Sequence, residues 1–324
     1  MEPLIVKHKK YILDNIVYIC FMISLDRLRS LHAVAAHGSL HAAADALNLT
    51  PSAISQQIAK LEVEVGEVLL ERRGRGVTLT DAAMVLTRHA DRALSVLRQA
   101  EAELDARRSV VSGDIVVGAF ATAIRGLAPA ALRQLGHVHP ALQARVEEME
   151  PIDAISRVAR GDIDLGLAQD WSSAPMAIPD GLERAPLLDD MADIALPLDH
   201  PLAGESSVEM TALAGDAWIS WPSGSICHDW LMQAVRRGGR EPKVRHQALE
   251  YATQLALVGA GLGVAVLPRL GRGMVPADVR IVTVTPTLAR HVYAIWRRDA
   301  ARKTAILATV EAFRSAADAF CRVT

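Results

Sequence analysis

Ser52, Ser55, Gln56, Ala59 and Lys60 follow one another at alternating steps of three and one. On a helix these positions fall on one side, while Ile54, Ile58, Leu61 and Val65 gather on the other. The polar side holds two hydroxyls, a carboxamide and an ammonium. A carboxamide can donate to and accept from one base edge, hydroxyls serve either role, and an ammonium attracts phosphate. That is the chemistry of reading duplex DNA. Further along, Arg73 and Arg75 flank Gly74, two guanidiniums on a turn that can follow a phosphate backbone or enter a minor groove.

Signs of catalysis are weak by comparison. No Gly-x-Ser-x-Gly elbow, phosphate-binding loop, His-Glu-x-x-His or Cys-x-x-Cys pair occurs. His137 and His139 precede Pro140 in a helix-to-strand loop and lack partner ligands. Cys227-His228-Asp229 sets three reactive types side by side, but neighbouring side chains at a helix start diverge. A disulfide would have to recruit Cys321 from a terminal helix of another lobe, so Cys227 reads as a structural cysteine. We expect no enzyme, no cofactor and no metal.

The elements that must carry the polar stripe are legible. Leu25, Leu28, Leu31, His32 and Ala35 mark one helical face that stops at His37-Gly38. Ser39 is a candidate N-cap for a short alanine-rich helix through Leu47, with His41 in its first turn. Asn48-Leu49-Thr50 breaks it, Thr50 caps the next helix, and Pro51 suits a first helical turn, where its missing N–H would be unpaired anyway. Two short helices joined by so tight a turn form a helix-turn-helix, at about 39–58. Leu69 to Arg73 and Val77 to Thr80 then predict two strands around a basic glycine turn, a wing.

The run from Leu31 to Leu40, Ala42-Ala43-Ala44 to Leu47, Thr50-Pro51-Ser52-Ala53-Ile54-Ser55-Gln56-Gln57-Ile58 to Leu61-Glu62, then Gly66, Leu69-Leu70-Glu71-Arg72 and Thr78-Leu79-Thr80 resembles the DNA-binding domain of LysR-type transcriptional regulators. The rest of the chain follows the layout of that family, so the resemblance runs from about Met22 to the C-terminus. One departure stands out: the family often carries Arg where Gln56 stands, so phosphate contact is weakened there while a base-edge donor and acceptor remains. The resemblance implies a homodimer, and by extension a homotetramer, that binds double-stranded operator DNA in the cytoplasm under control of a small effector. RNA polymerase is an implied partner if the protein activates.

Composition bounds these expectations. With 324 residues and 51% hydrophobic content the chain is long enough for more than one domain. It carries 35 Lys plus Arg against 37 Asp plus Glu, which excludes a general polycation. Within 22–80, Arg27, Arg29, Lys60, Arg72, Arg73 and Arg75 are balanced by Asp26, Asp45, Glu62, Glu64, Glu67 and Glu71. Non-specific affinity should then be modest, with specificity coming from hydrogen bonding and dimer geometry. The cysteines, Cys20, Cys227 and Cys321, are too scattered for a disulfide framework. Met1 to Phe21 is basic then apolar, with neither a cleavage site nor the length of a membrane span. It reads as a non-native or upstream-start extension, with Met22 the expected start.

Four parts are expected: the extension at 1–21, a winged helix-turn-helix domain at 22–80, a linker and dimerisation helix with hinge at 81–112, and an α/β effector-binding domain at 113–324. In the linker Ala83, Ala90, Leu97 and Leu104 repeat every seven residues, flanked by Leu86 and Leu94. Alternating strands and helices after Gly113 predict two lobes around a cleft, similar to a periplasmic binding protein, with lobe I at about 113–170 and 288–324 and lobe II at about 171–287. Ligands in such sheets sit beyond the carboxyl ends of strands. That selects Thr122, Glu150, Trp171, Trp221, Ser223 and Ser225 as effector contacts, for a small anionic or zwitterionic metabolite. The competing reading is a two-lobed binding or catalytic protein whose N-terminal helices only dimerise.

Overall fold

The computed structural model describes residues 11–13, 16–18, 23–74, 76–107, 110–237 and 239–322. Arg75, Met22 and most of the segment before it lie outside these residues; β1 (Tyr11–Leu13) and β2 (Ile16–Tyr18) pair antiparallel. The chain divides into two compact units, residues 1–98 and 99–324.

The first unit is built on short helices with strong stop signals. α1 (Leu25–His37) ends at Gly38, whose φ of 73° is left-handed backbone that glycine adopts without strain. In α2 (Leu40–Leu47), Ser39 Oγ accepts from the Ala42 N–H at 3.1 Å, and Asn48 closes the helix with φ 52°. For α3 (Pro51–Val65), Thr50 Oγ1 accepts from Ala53 N–H at 3.2 Å and Pro51 opens the first turn. Ala43 and Ala44, both fully buried, let the helices close on a core of Leu31, Val34, Ile54, Ile58 and Leu61. The wing follows as the antiparallel pair β3 (Leu70–Arg73) and β4 (Gly76–Leu79). Glu62 Oε1 ties it to α3, accepting from Leu69 N–H at 2.8 Å and Leu70 N–H at 3.2 Å.

α4 (Asp81–Asp105) begins in this unit. Its seven-residue repeat divides in two: Ala83 and Ala90 are fully buried, whereas Leu97 and Leu104 are 43% and 64% exposed. The physical reason lies at its start, where Ala83 joins the core of α1 to α3 and Leu86 packs against it.

The second unit contains β5 (Gly113–Ala119), α5 (Ala121–Gly126), α6 (Ala128–Val138), β6 (Leu142–Glu148), α7 (Pro151–Arg160), β7 (Leu165–Trp171), β8 (Leu182–Pro197), β9 (Ser207–Glu209), β10 (Ala217–Ser220), α8 (Ile226–Arg236), β11 (Lys243–Gln247), α9 (Tyr251–Gly259), β12 (Ala265–Pro268), β13 (Val279–Thr285), β14 (Leu288–Arg297) and α10 (Thr304–Cys321). One sheet has the order β6-β5-β7-β14-β8-β13-β9, with β12 also on β8; β10 and β11 form a separate parallel pair. Two lobes share the long strand β8. Its first half gives Leu187 and Leu188 to the core beneath α6 and α10, and its second half gives Ala192, Ile194 and Leu196 to the core beneath α8. α5 and α6 are separated at Leu127, with Pro129 in the first turn of α6.

Glu62 supplies a test of the first unit. Glu62→Ala removes the only side-chain acceptor among the described residues recorded for Leu69 and Leu70 N–H. Urea unfolding should show a loss of about 1–2 kcal/mol, with Glu62→Gln recovering most of it.

Candidate functional site

In the first unit, the two caps aim α3. Ser52, Ser55, Gln56 and Lys60 are exposed along it, opposite the buried Ile54 and Ile58. Thr50 Oγ1 and Ser52 Oγ lie 3.0 Å apart at the helix entrance, beside the half-buried Pro51. Ser39 spends one lone pair on its cap, and His41 is exposed in the first turn of α2. Arg73 is exposed at the end of β3, before Gly74 with φ 60°. Ser55, Gln56 and Lys60 are thus exposed on α3, and Arg73 is exposed at the end of β3.

In the second unit, the chemistry converges where the lobes meet. Arg290, on β14, has 0% exposure. Its Nε donates to Asp190 Oδ2 at 2.8 Å and its Nη2 to Thr122 Oγ1 at 2.8 Å, while Nη1 donates to Gln169 Oε1. The chain of contacts continues into the second lobe: Gln169 Nε2 lies 3.3 Å from Cys227 Sγ. The other oxygen of Asp190 accepts from Leu270 N–H at 2.8 Å. Phe120 places its ring centroid 5.3 Å from the guanidinium carbon. Burying a charge is costly unless it is paired and hydrogen-bonded, and here both conditions are met.

The expected effector residues divide in two. Thr122 is buried and turned onto Arg290. Glu150 is half-buried with its carboxyl held above the usual range by burial, reinforced by Asp153 and Glu148, and its charge reaches Cys227. Trp171 is not an open wall: it is fully buried and stacks on Trp230 with ring centroids 3.7 Å apart. Trp221 is likewise buried, edge-on to Tyr251 at 5.7 Å. Ser225 caps α8, accepting from His228 N–H at 3.2 Å and donating to Pro222 O at 2.8 Å. Ser223 accepts from Gln247 Nε2 at 2.9 Å.

Gln169, Asp190, Tyr251 and Arg290 are not among the residues expected from the sequence. Arg125 bridges the lobes at their surface, 3.4 Å from Glu250 and 3.2 Å from Gly271 O. The signal for Arg290 was an arginine in a mostly apolar strand, LARHVYAIWR.

Two family models match. "Bacterial regulatory helix-turn-helix protein, lysR family" covers residues 25–84, and "LysR substrate binding domain" covers 108–318. The chain belongs to the LysR family of transcriptional regulators. Among relatives of this LysR-type regulator, the uncharacterized HTH-type transcriptional regulator YnfL of Escherichia coli K12 is 30% identical over 76% of this chain and 82% of that protein. The dual regulator OxyR of the same strain is 27% identical over 90% and 95% of the two chains. Among solved structures, full-length BenM has a TM-score of 0.56 at 26% identity, covering 90% of this chain and 96% of its own. A full-length OxyR from Pseudomonas aeruginosa shares the fold with a TM-score of 0.69 at 23% identity, over 90% and 98%. The protein is therefore a DNA-binding regulator whose helix-turn-helix is joined to an effector-binding domain. No helix among the described residues is long and apolar enough to cross a membrane.

The buried pair gives this LysR-type regulator a measurable weakness. Arg290→Ala strands Asp190 in the interior and should cost about 3–5 kcal/mol in denaturant unfolding. Replacing both partners together, Arg290→Met with Asp190→Leu, should recover most of that loss.

Proposed function

We propose that the α3 face reads operator DNA through Ser52, Ser55 and Gln56, with Ser39, His41, Thr50, Pro51 and Lys60 positioning it on the backbone and Arg73 and Arg75 engaging phosphate or minor groove from the wing. The observation that carries this reading is the exposed stripe of Ser55, Gln56 and Lys60 on α3, behind the Thr50 side-chain cap. Dimers form through α4, whose exposed Leu97 and Leu104, with Val96, leave apolar surface for a second copy. Pairs of dimers make the tetramer, and contact with RNA polymerase belongs to an activating role. The domain boundaries are those drawn from the sequence, 22–80, 81–112 and 113–324, and the protein works in the cytoplasm.

The effector binds where the lobes meet, and it regulates without being transformed. Asp190 already neutralises Arg290, and the acidic Glu150 stands nearby, so a zwitterion fits better than a bare anion. Its carboxylate would approach Thr122 and the Arg290 side, and its ammonium would approach Glu150. One relative is named a hydrogen peroxide-inducible genes activator, from Pectobacterium carotovorum. Peroxide sensing through Cys227 does not suit this chain. Burial pushes that thiol up to about 11, and thiolate is the reactive form.

Gln56→Ala should weaken specific operator binding by about 1–3 kcal/mol in footprinting titrations on the DNA upstream of its own gene. Arg73→Ala should lower the salt dependence of the log affinity by about one unit of slope. Unchanged affinity in a folded Gln56→Ala protein would remove that side chain from the reading surface.

A second experiment addresses the lobe junction. An effector found by screening amino acids and monocarboxylates should raise the melting temperature of the full chain, by binding only the folded state. Thr122→Val should abolish that shift while operator affinity without effector stays unchanged. A shift that survives Thr122→Val would move the effector elsewhere.

A further inference from the structure

Three strands cross between the lobes, and their pairing puts opposite chemistries on their two faces. Arg290 on β14 is paired in register with Asp190 of β8 and Trp171 of β7. The next residue, His291, is paired with Asp189 and Asp170. Side chains alternate along a strand, so this second row faces away from the Arg290 junction. His291 Nδ1 lies 2.6 Å from Asp189 Oδ1. Two residues on, Tyr293 is paired with the small Ala168 and with Pro186, beside a shift of register between Val292 and Tyr293.

A cavity of about 370 Å³ opens on this outer face, lined by Asp170, Ser172, Pro175, Arg184, Asp189 and Tyr293 among others. Its volume lies within the range of small-molecule sites. Two of its donors are uncommitted. Tyr293 is only 3% exposed, yet its hydroxyl has no hydrogen-bond partner. Arg184 stands 5.5 Å over the Tyr293 ring and has no carboxylate in ion-pair range among the described residues. Buried polar groups are ordinarily paired, and this hydroxyl is an exception on a residue that lines the cavity. Asp170 is the acidic counterpart: it is buried, and one oxygen accepts from Met176 N–H at 2.9 Å. Its charge and that of Arg184 both reach the Tyr293 hydroxyl, which burial first, and Asp170 next, push up to about 12.

We propose that this outer-face cavity is a second small-molecule site, separate from the lobe junction, that takes a small α-amino or α-hydroxy carboxylate. The carboxylate meets Arg184 and the Tyr293 hydroxyl, which have donors to spend. A bare carboxylate would be repelled by Asp170, whereas an adjacent ammonium or hydroxyl turns that carboxylate into a partner. Pro175 and Pro186 accommodate a short aliphatic body.

Titration calorimetry of the full-length protein tests this with L-alanine, L-leucine and L-lactate, against propionate and ethylamine as probes that carry only one of the two groups. At least one of the first three should bind one per chain and at least about tenfold more tightly than either control, a difference of about 1.4 kcal/mol. Arg184→Gln and Tyr293→Phe should each weaken it several-fold, and Thr122→Val should leave it unchanged. Tyr293→Phe keeps the ring and decides the matter if Arg184→Gln fails to fold. The proposal is overturned if none of the three binds below about 10 mM, if propionate binds as well as they do, or if Tyr293→Phe leaves the affinity intact. It is equally overturned if Thr122→Val abolishes binding, which would assign the ligand to the lobe junction instead.

Discussion

At the meeting of the two lobes a guanidinium and a carboxylate are buried together, and neither tolerates the loss of the other. Asp190 spends one oxygen on Arg290 and the other on the backbone of Leu270, so one carboxylate fixes both the cation and a loop of the second lobe. Leu270 then inserts into the core of the first lobe. Gly271 follows with φ 64° and approaches the Thr122 carbonyl so closely that a Cβ there would lie 2.3 Å from its oxygen. The cost of desolvating Arg290 is offset by a full set of acceptors, Asp190, Thr122 and Gln169, and that requirement dictates where each must stand.

The first unit was legible because its instructions are local. Ser39 and Thr50 cap helices that begin one residue later, Gly38 and Asn48 stop helices one residue before, and the alternation of Ile54 and Ile58 with Ser55 and Gln56 needs only one turn of context. Each decision is made within four residues, the range over which helix signals act. The linker was half legible for the same reason. Its seven-residue repeat is real, but whether a position faces its own domain or solvent depends on what packs beside it, which divides Ala83 and Ala90 from Leu97 and Leu104.

The second unit was legible in kind but not in detail. Strand ends drew attention to Thr122, Glu150 and Trp171, and those residues do gather near Arg290 and Cys227. The group that organises them lies more than a hundred residues further along, and only strand register brings it there. A reading that treats strand ends as open walls also overlooks that two tryptophans must satisfy their own packing first. Trp171 and Trp221 are taken up by Trp230 and Tyr251.

The alternation of β14 has an evolutionary consequence. Arg290 and His291 are neighbours in the chain but serve opposite faces of one sheet, as do Gln169 and Asp170, and Asp190 and Asp189. Inserting or deleting a single residue in any of these strands would exchange the inward and outward rows wholesale, stranding a guanidinium in one place and a carboxylate in another. Lineages that diversify this domain can therefore vary it by substitution within each row, but hardly by changes of length. The three strands should hold constant spacing among descendants even where the identity of what they recognise drifts.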